Sequence, residues 1–182
     1  MNILANAIAF QLGWFACVLG GANQMPWLGT LVAAIIVTWH LSRAQWPDRE
    51  LVLLVAVGLL GAQWDSLLVA AGWLAYPSGT LLTNTAPHWI VAIWVLFAST
   101  LNVSLRWLRG RRVLASLAGA LAGPLAYYTG AKLGGVIIVE PLFAFTALTI
   151  GWAVFMPLFM KLSVYFDGIG TARTTTGARH YA

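Results

Sequence analysis

Leu51 to Ala71 reads LVLLVAVGLLGAQWDSLLVAA, an apolar run whose one charged residue is Asp65. A hydrocarbon core is crossed by roughly 20 helical residues at about 1.5 Å rise each, and this run is long enough. It shows no alternation of apolar and polar residues, and a backbone in lipid must pair its own amides, so a helix is the expected form. Working outward, five further runs repeat the pattern, giving spans at Ile3–Gly21, Pro26–Ser42, Leu51–Ala71, His88–Leu108, Val113–Gly130 and Pro141–Met160. With 60% hydrophobic and 8% charged residues and a mean hydropathy of +0.82, a soluble domain is excluded. The fold class is all-α, an integral membrane bundle of six transmembrane helices. Pro26 and the pair Glu140-Pro141 are suitable helix starts, whereas Pro124 and Pro157 fall inside spans and predict kinks.

The basic residues divide unequally between the gaps. One side receives Arg43 and Arg49, then Arg106, Arg109, Arg111 and Arg112, then Lys161, Arg173 and Arg179, while the other receives only Lys132. Basic residues beside span ends stay in the cytoplasm, so both termini are expected there. The chain divides into a transmembrane domain over 1–161 and a short, solvated basic tail over 162–182. The few residues around Gly110 predict that spans four and five form a tight antiparallel hairpin. No Lys or Arg precedes Arg43, so the first span is read as a retained helix and not a cleaved signal.

The net charge of +5 and pI near 9.9 are assigned to topology and to contact with anionic headgroups, with no nucleic acid as partner. Cys17 is the lone cysteine, and His40, His88 and His180 are spread along the chain, so neither a disulfide nor a metal site is expected. No cofactor fingerprint occurs. Many of the ten Trp residues, including Trp27, Trp39, Trp46, Trp73, Trp89 and Trp107, fall at span ends and read as aromatic belts.

Asp65 carries the functional reading. It lies fifteen residues beyond Glu50, about 22 Å into a core of about 30 Å, where a carboxylate costs roughly 2.5–3.5 kcal/mol and seldom faces lipid. Gly58, Gly61 and Gly72 share its face, and Ala115, Gly119 and Gly123 form a similar stripe on span five, so the two helices are expected to pair. An outward-opening polar pocket around Asp65 is expected to gather His88, Tyr127, Tyr128, Lys132 and Asn84 as ligand-binding candidates. The alternative is a plain interhelical hydrogen bond from Asp65 to Tyr127, Tyr128 or Gln11. Asn102 and Arg106, four apart on one face, are candidates for a lipid headgroup, the alternative being a snorkelling arginine at the interface and a helix-packing asparagine. Ser66, Ser78 and His88 with Asp65 hold the residue types of an acyl-transfer set, which many membrane chains contain by chance.

At Asp65-Ser66-Leu67-Leu68, Tyr76-Pro77-Ser78-Gly79, Phe97-Ala98-Ser99-Thr100-Leu101-Asn102, Ser104-Leu105-Arg106-Trp107 and Gly123-Pro124-Leu125-Ala126-Tyr127-Tyr128 the chain resembles a bacterial membrane family catalogued as domain of unknown function 2878. The opening Phe10-Gln11-Leu12-Gly13-Trp14-Phe15 is similar too. The resemblance implies a small multi-pass protein of the bacterial inner membrane and carries no activity, substrate or catalytic residue. Three classes of function stand open. The first is binding or transport of a lipid or amphipathic small molecule, in which transport would call for a homo-oligomer. The others are a lipid-modifying enzyme with Asp65 or His88 as acid or base, and an assembly partner of another membrane protein.

Overall fold

The computed structural model describes residues 2–170. Its six helices are α1 (Ile3–Ala22), α2 (Pro26–Ser42), α3 (Pro47–Ala70), α4 (His88–Leu101), α5 (Arg112–Lys132) and α6 (Pro141–Tyr165). Two short strands, β1 (Leu74–Ala75) and β2 (Ile137–Ile138), pair antiparallel and tie the segment after α3 to the one before α6. The starts follow local chemistry. Asn2 accepts the Leu4 amide at 2.8 Å as N-cap of α1, and α2, α3 and α6 each begin on a proline, whose missing N–H costs nothing there. Helices α1, α3 and α6 are long and apolar enough to cross a membrane, while α2 and α4 are shorter apolar helices. The bundle presents leucine and isoleucine outward, with Ile35 70%, Leu121 74% and Leu142 76% exposed.

α4 is the central element, with α1, α2 and α3 packed around it and α6 touching it. It is a helix from His88 only to Leu101, seven residues short of the span expected to reach Leu108. The chain then turns and forms a single 3-10 turn at Arg106–Leu108. α5 pairs with α6 and does not lie along α4, so the hairpin expected of spans four and five is not formed. The small-residue stripes explain the rearrangement. Gly61 and Gly58 of α3 are sockets for Trp94 and Val95 of α4, and in α5 Gly123 is a socket for the Trp152 ring of α6 while Gly119 lies against Met156 and the Trp152 carbonyl. At the centre of each stripe one glycine is therefore filled by an indole from the neighbouring helix, and α3 and α5 do not pair along their lengths. Trp94 and Trp152 stack at 4.7 Å between centroids and join the two halves of the bundle.

The place where α4 stops is filled with polar side chains. Asn6 donates to the Ser99 carbonyl at 3.1 Å and accepts from the Ser104 hydroxyl at 2.8 Å. Asn102, fully buried, donates to Glu50 Oε2 at 2.6 Å, and Glu50 Oε1 meets His40 Nε2 at 2.7 Å. The Gly168 amide donates to Glu50 Oε2 at 3.0 Å, so the residues after α6 close the site. Arg109 bonds Asn102, Ser163 and Asp167, and Arg106 reaches Asp167 at 2.8 Å. We call this the basic end. The first turn of α1 and the last turn of α6 both lie there.

The segment after Lys161, expected to begin a solvated tail, continues α6 to Tyr165 and folds Asp167–Gly170 against α3. Arg173, Arg179 and His180, assigned to the tail, lie outside the described residues. Among the Trp residues expected at interfaces, Trp27, Trp46 and Trp107 are exposed, but Trp89 is fully buried and donates to the Ser78 carbonyl at 3.0 Å.

Asp167 offers a test of the basic end. Partial burial pushes its carboxyl upward, but hydrogen bonds from Arg109 and the Gly170 amide, with the charges of Arg109 and Arg106, hold it below the ordinary value of 3.8. A depressed folded-state value stabilises the fold above the unfolded value, and that contribution is lost as pH falls from about 5 towards the folded value. Asp167→Asn is expected to lower the melting temperature at pH 7 by about 2–4 °C and to flatten its fall in acid. Parallel melting curves against pH for the two proteins in detergent would contradict this assignment.

Candidate functional site

Asp65 is fully buried, and both carboxyl oxygens are occupied. Oδ1 accepts from the Tyr76 hydroxyl at 2.6 Å and the Tyr127 hydroxyl at 2.8 Å, and Oδ2 accepts from Trp94 Nε1 at 2.6 Å. A carboxylate has about four acceptor sites and an indole N–H only donates, so the set is chemically matched. No Lys, Arg or His among the described residues forms an ion pair with it. Asp65 therefore joins α3 to α4, to α5 and to the loop carrying Tyr76. Tyr127 is one of the partners named for it from sequence, whereas Trp94 and Tyr76 are not.

The expected polar pocket does not form around it. Tyr128 is exposed and lies under Lys132 Nζ, 5.4 Å from its ring. Asn84 is exposed in the loop before α4 with φ of 59°, a left-handed turn position suited to asparagine. His88 stacks on Trp27 at 4.0 Å and shares a 2.7 Å hydrogen bond with Thr30. Ser66 bonds the Ala62 carbonyl and the Ala86 amide, and Ser78 bonds the Gly21 carbonyl, so these serines do not assemble with His88 and Asp65. Arg106 directs its Nε to the Asn102 carbonyl at 2.7 Å and its Nη2 to Asp167, so the guanidinium is already engaged within the protein.

The open space lies elsewhere. α1 and α5 do not pack along their lengths, and between them is a cleft of about 440 Å³. Its floor is Phe97 of α4 with Trp152 and Met156 of α6; its walls include Phe10 and Gln11 of α1 and Ala122 of α5. A smaller cavity of about 70 Å³ adjoins it, sharing Phe10, Phe97, Ala126 and Trp152 and ending on Trp94 and Tyr127. Two of the donors to Asp65 thus form the inner wall of this space. Beyond the far end Gly135 lies against Val18, while Ser104 and Trp107 stand at the basic end. Gln11, expected as a possible partner of Asp65, instead lines the cleft, exposed and without a side-chain hydrogen bond among the described residues.

His40 and Glu50 flank the short link between spans two and three, which opposes the last turn of one helix to the first of the next. Trp94 stands in mid-span, where no belt would put it.

Asp65→Asn keeps the shape but replaces one acceptor oxygen with a donor. It is expected to destabilise the protein by about 1–3 kcal/mol, and Tyr127→Phe, which leaves Tyr76 and Trp94 in place, by about 1 kcal/mol. Unfolding of the purified proteins in detergent orders the two, and a larger loss in Tyr127→Phe would remove Asp65 from the centre of the set.

No curated protein and no solved structure matches the chain. One family model does match, over residues 3–158, which takes in every residue of the cleft and of the Asp65 cluster. The chain therefore belongs to the family described as protein of unknown function (DUF2878).

Proposed function

We propose that this is a six-span protein of a bacterial inner membrane, with both termini cytoplasmic, that binds an acyl chain of a membrane lipid in the cleft between α1 and α5. The observation that carries the reading is the cleft itself: about 440 Å³, apolar on three sides, with the exposed side chains of Leu12 and Leu121 on the two helices that flank it. Ligand sites are commonly about 300–1,000 Å³ and mostly apolar with a few placed polar groups. Lipid tails surround such a bundle, so a chain entering sideways passes through no water. Gln11 supplies the placed polar group, able to bond an ester carbonyl or hydroxyl of the entering molecule. α5 and α4 fit the six-span reading although they are less apolar or shorter than the others. α5 carries glycines that seat Trp152 and Met156, and α4 is enclosed by its neighbours, where irregular backbone at membrane depth is tolerated.

A phospholipid with a photoreactive group near the end of one acyl chain is expected to label peptides containing Phe10, Phe97 or Ala126 in the full-length protein. Ala122→Trp fills the cleft and is expected to reduce that labelling about tenfold, equivalent to about 1.4 kcal/mol of binding. Labelling restricted to outward residues such as Leu142, or unchanged by Ala122→Trp, would overturn the reading. Topology is tested separately: reporters fused after Lys132 and after Arg179 are expected to report opposite sides, and the same side for both would rule out the arrangement.

A further inference from the structure

Among the described residues, the arginines of the basic end are mostly engaged. Arg106 and Arg109 hold Asp167, and Arg111 lies 6.0 Å over the Trp107 ring. Arg112 and Lys161 differ. They come from the start of α5 and the last turns of α6 and converge on one cavity of about 270 Å³ at the open end of that helix pair. Neither makes a side-chain hydrogen bond or ion pair among the described residues, and no carboxylate lines the cavity. Its other walls are Gly110 at the turn, the apolar side chains of Leu108, Met160 and Val164, and Tyr165. Positive charge placed only to set topology needs no cavity and no convergence from two helices. Here two exposed basic residues line a shared space with an apolar floor, which fits an anion carrying an apolar body.

We propose that Arg112 and Lys161 form a binding site for a phosphate-bearing anion, supplied by the headgroup of an anionic phospholipid of the cytoplasmic leaflet. Arg112 offers the planar fork that pairs with phosphate oxygens, Lys161 adds a point charge, and Leu108, Met160 and Val164 accept the glycerol backbone and first methylenes. The site rests on the membrane placement proposed above, but not on the α1–α5 cleft, which is lined by other residues.

The test is thermal unfolding of the full-length protein in a neutral detergent with added phosphatidylglycerol, phosphatidylcholine or inorganic phosphate. Phosphatidylglycerol is expected to raise the melting temperature of the unaltered protein more than phosphatidylcholine does. In the Arg112→Gln/Lys161→Gln variant that preference is expected to vanish, with at least a tenfold higher concentration needed for the same shift, while the lipid-free melting temperature stays the same. If the double variant is less stable without lipid, Lys161→Gln alone is titrated, and a weakened phosphatidylglycerol response is again expected. Stabilisation by inorganic phosphate with the same residue dependence keeps the site and assigns it to free phosphate. Equal stabilisation by the two lipids with none from inorganic phosphate, or a preference retained in the variants, overturns the proposal. Ala122→Trp is expected to leave the preference intact, so failure of the cleft reading and failure of this one are told apart.

Discussion

A buried backbone group must be paired, and α4 ends at Leu101 and Asn102, both fully buried. A helix of 14 residues is about 21 Å long, and its last carbonyls fall deep inside the bundle. The donors come from one side chain of another helix, from backbone amides of the turn that follows and from Arg106 within that turn. Asn6 takes the Ser99 carbonyl, the Val103 and Leu105 amides take that of Thr100, and Arg106 takes that of Asn102. Each of these groups then requires its own neighbour, and the chain of requirements runs through Asn102 to Glu50 and His40 and through Arg109 to Asp167. The early end of one central helix thus accounts for most of the buried polar residues at the basic end. It also explains why the segment after α6 folds back, since the Gly168 amide completes the shell of Glu50.

The rest of the bundle is set by aromatic rings in glycine sockets. A Cβ at Gly61 would overlap the Trp94 ring, and one at Gly123 would overlap Trp152, so the helix pairs α3–α4 and α5–α6 approach as closely as they do only with glycine there. The stacked Trp94 and Trp152 then hold the pairs together. Large rings in the middle also leave space at the edge. Because α5 follows α6 and not α1, the cleft between α1 and α5 is a consequence of the same packing that makes the core dense.

The helices were legible in the sequence because their signals are local. The starts at Pro26 and Pro141 and the apolar runs need no knowledge of neighbours. The end of α4 was not legible, because Phe97 to Leu108 is apolar enough to continue a helix and what stops it is the supply of partners from Asn6 and Glu50, far away in the chain. Gly58, Gly61, Gly119 and Gly123 are legible as close-packing positions, but a glycine stripe does not say whether a second stripe or larger side chains will fill it. Asp65 was legible as a buried group with a tyrosine partner. Trp94 and Tyr76 were not, since each was reached through a turn of the chain whose direction no local pattern records.

The cleft has no direct contact to fix its width, because the helices on its two sides do not pack on each other. Its dimensions are set by ties at its ends. At the far end Tyr127 of α5 is held to Asp65 of α3, which also holds Trp94 of α4. At the basic end Ser104, which follows α4, is held to Asn6 of α1, and Arg109, just before α5, is held to Ser163 of α6. Hydrogen bonds buried away from water are strong and directional, and losing one partner leaves the other unpaired at a cost of about 1–3 kcal/mol. Such ties resist the collapse that apolar surfaces on either side of a gap would otherwise favour. Asp65 therefore supports the cleft from behind its wall: the carboxylate holds Trp94 and Tyr127 in place, so that their rings, and not a charge, face the adjoining cavity.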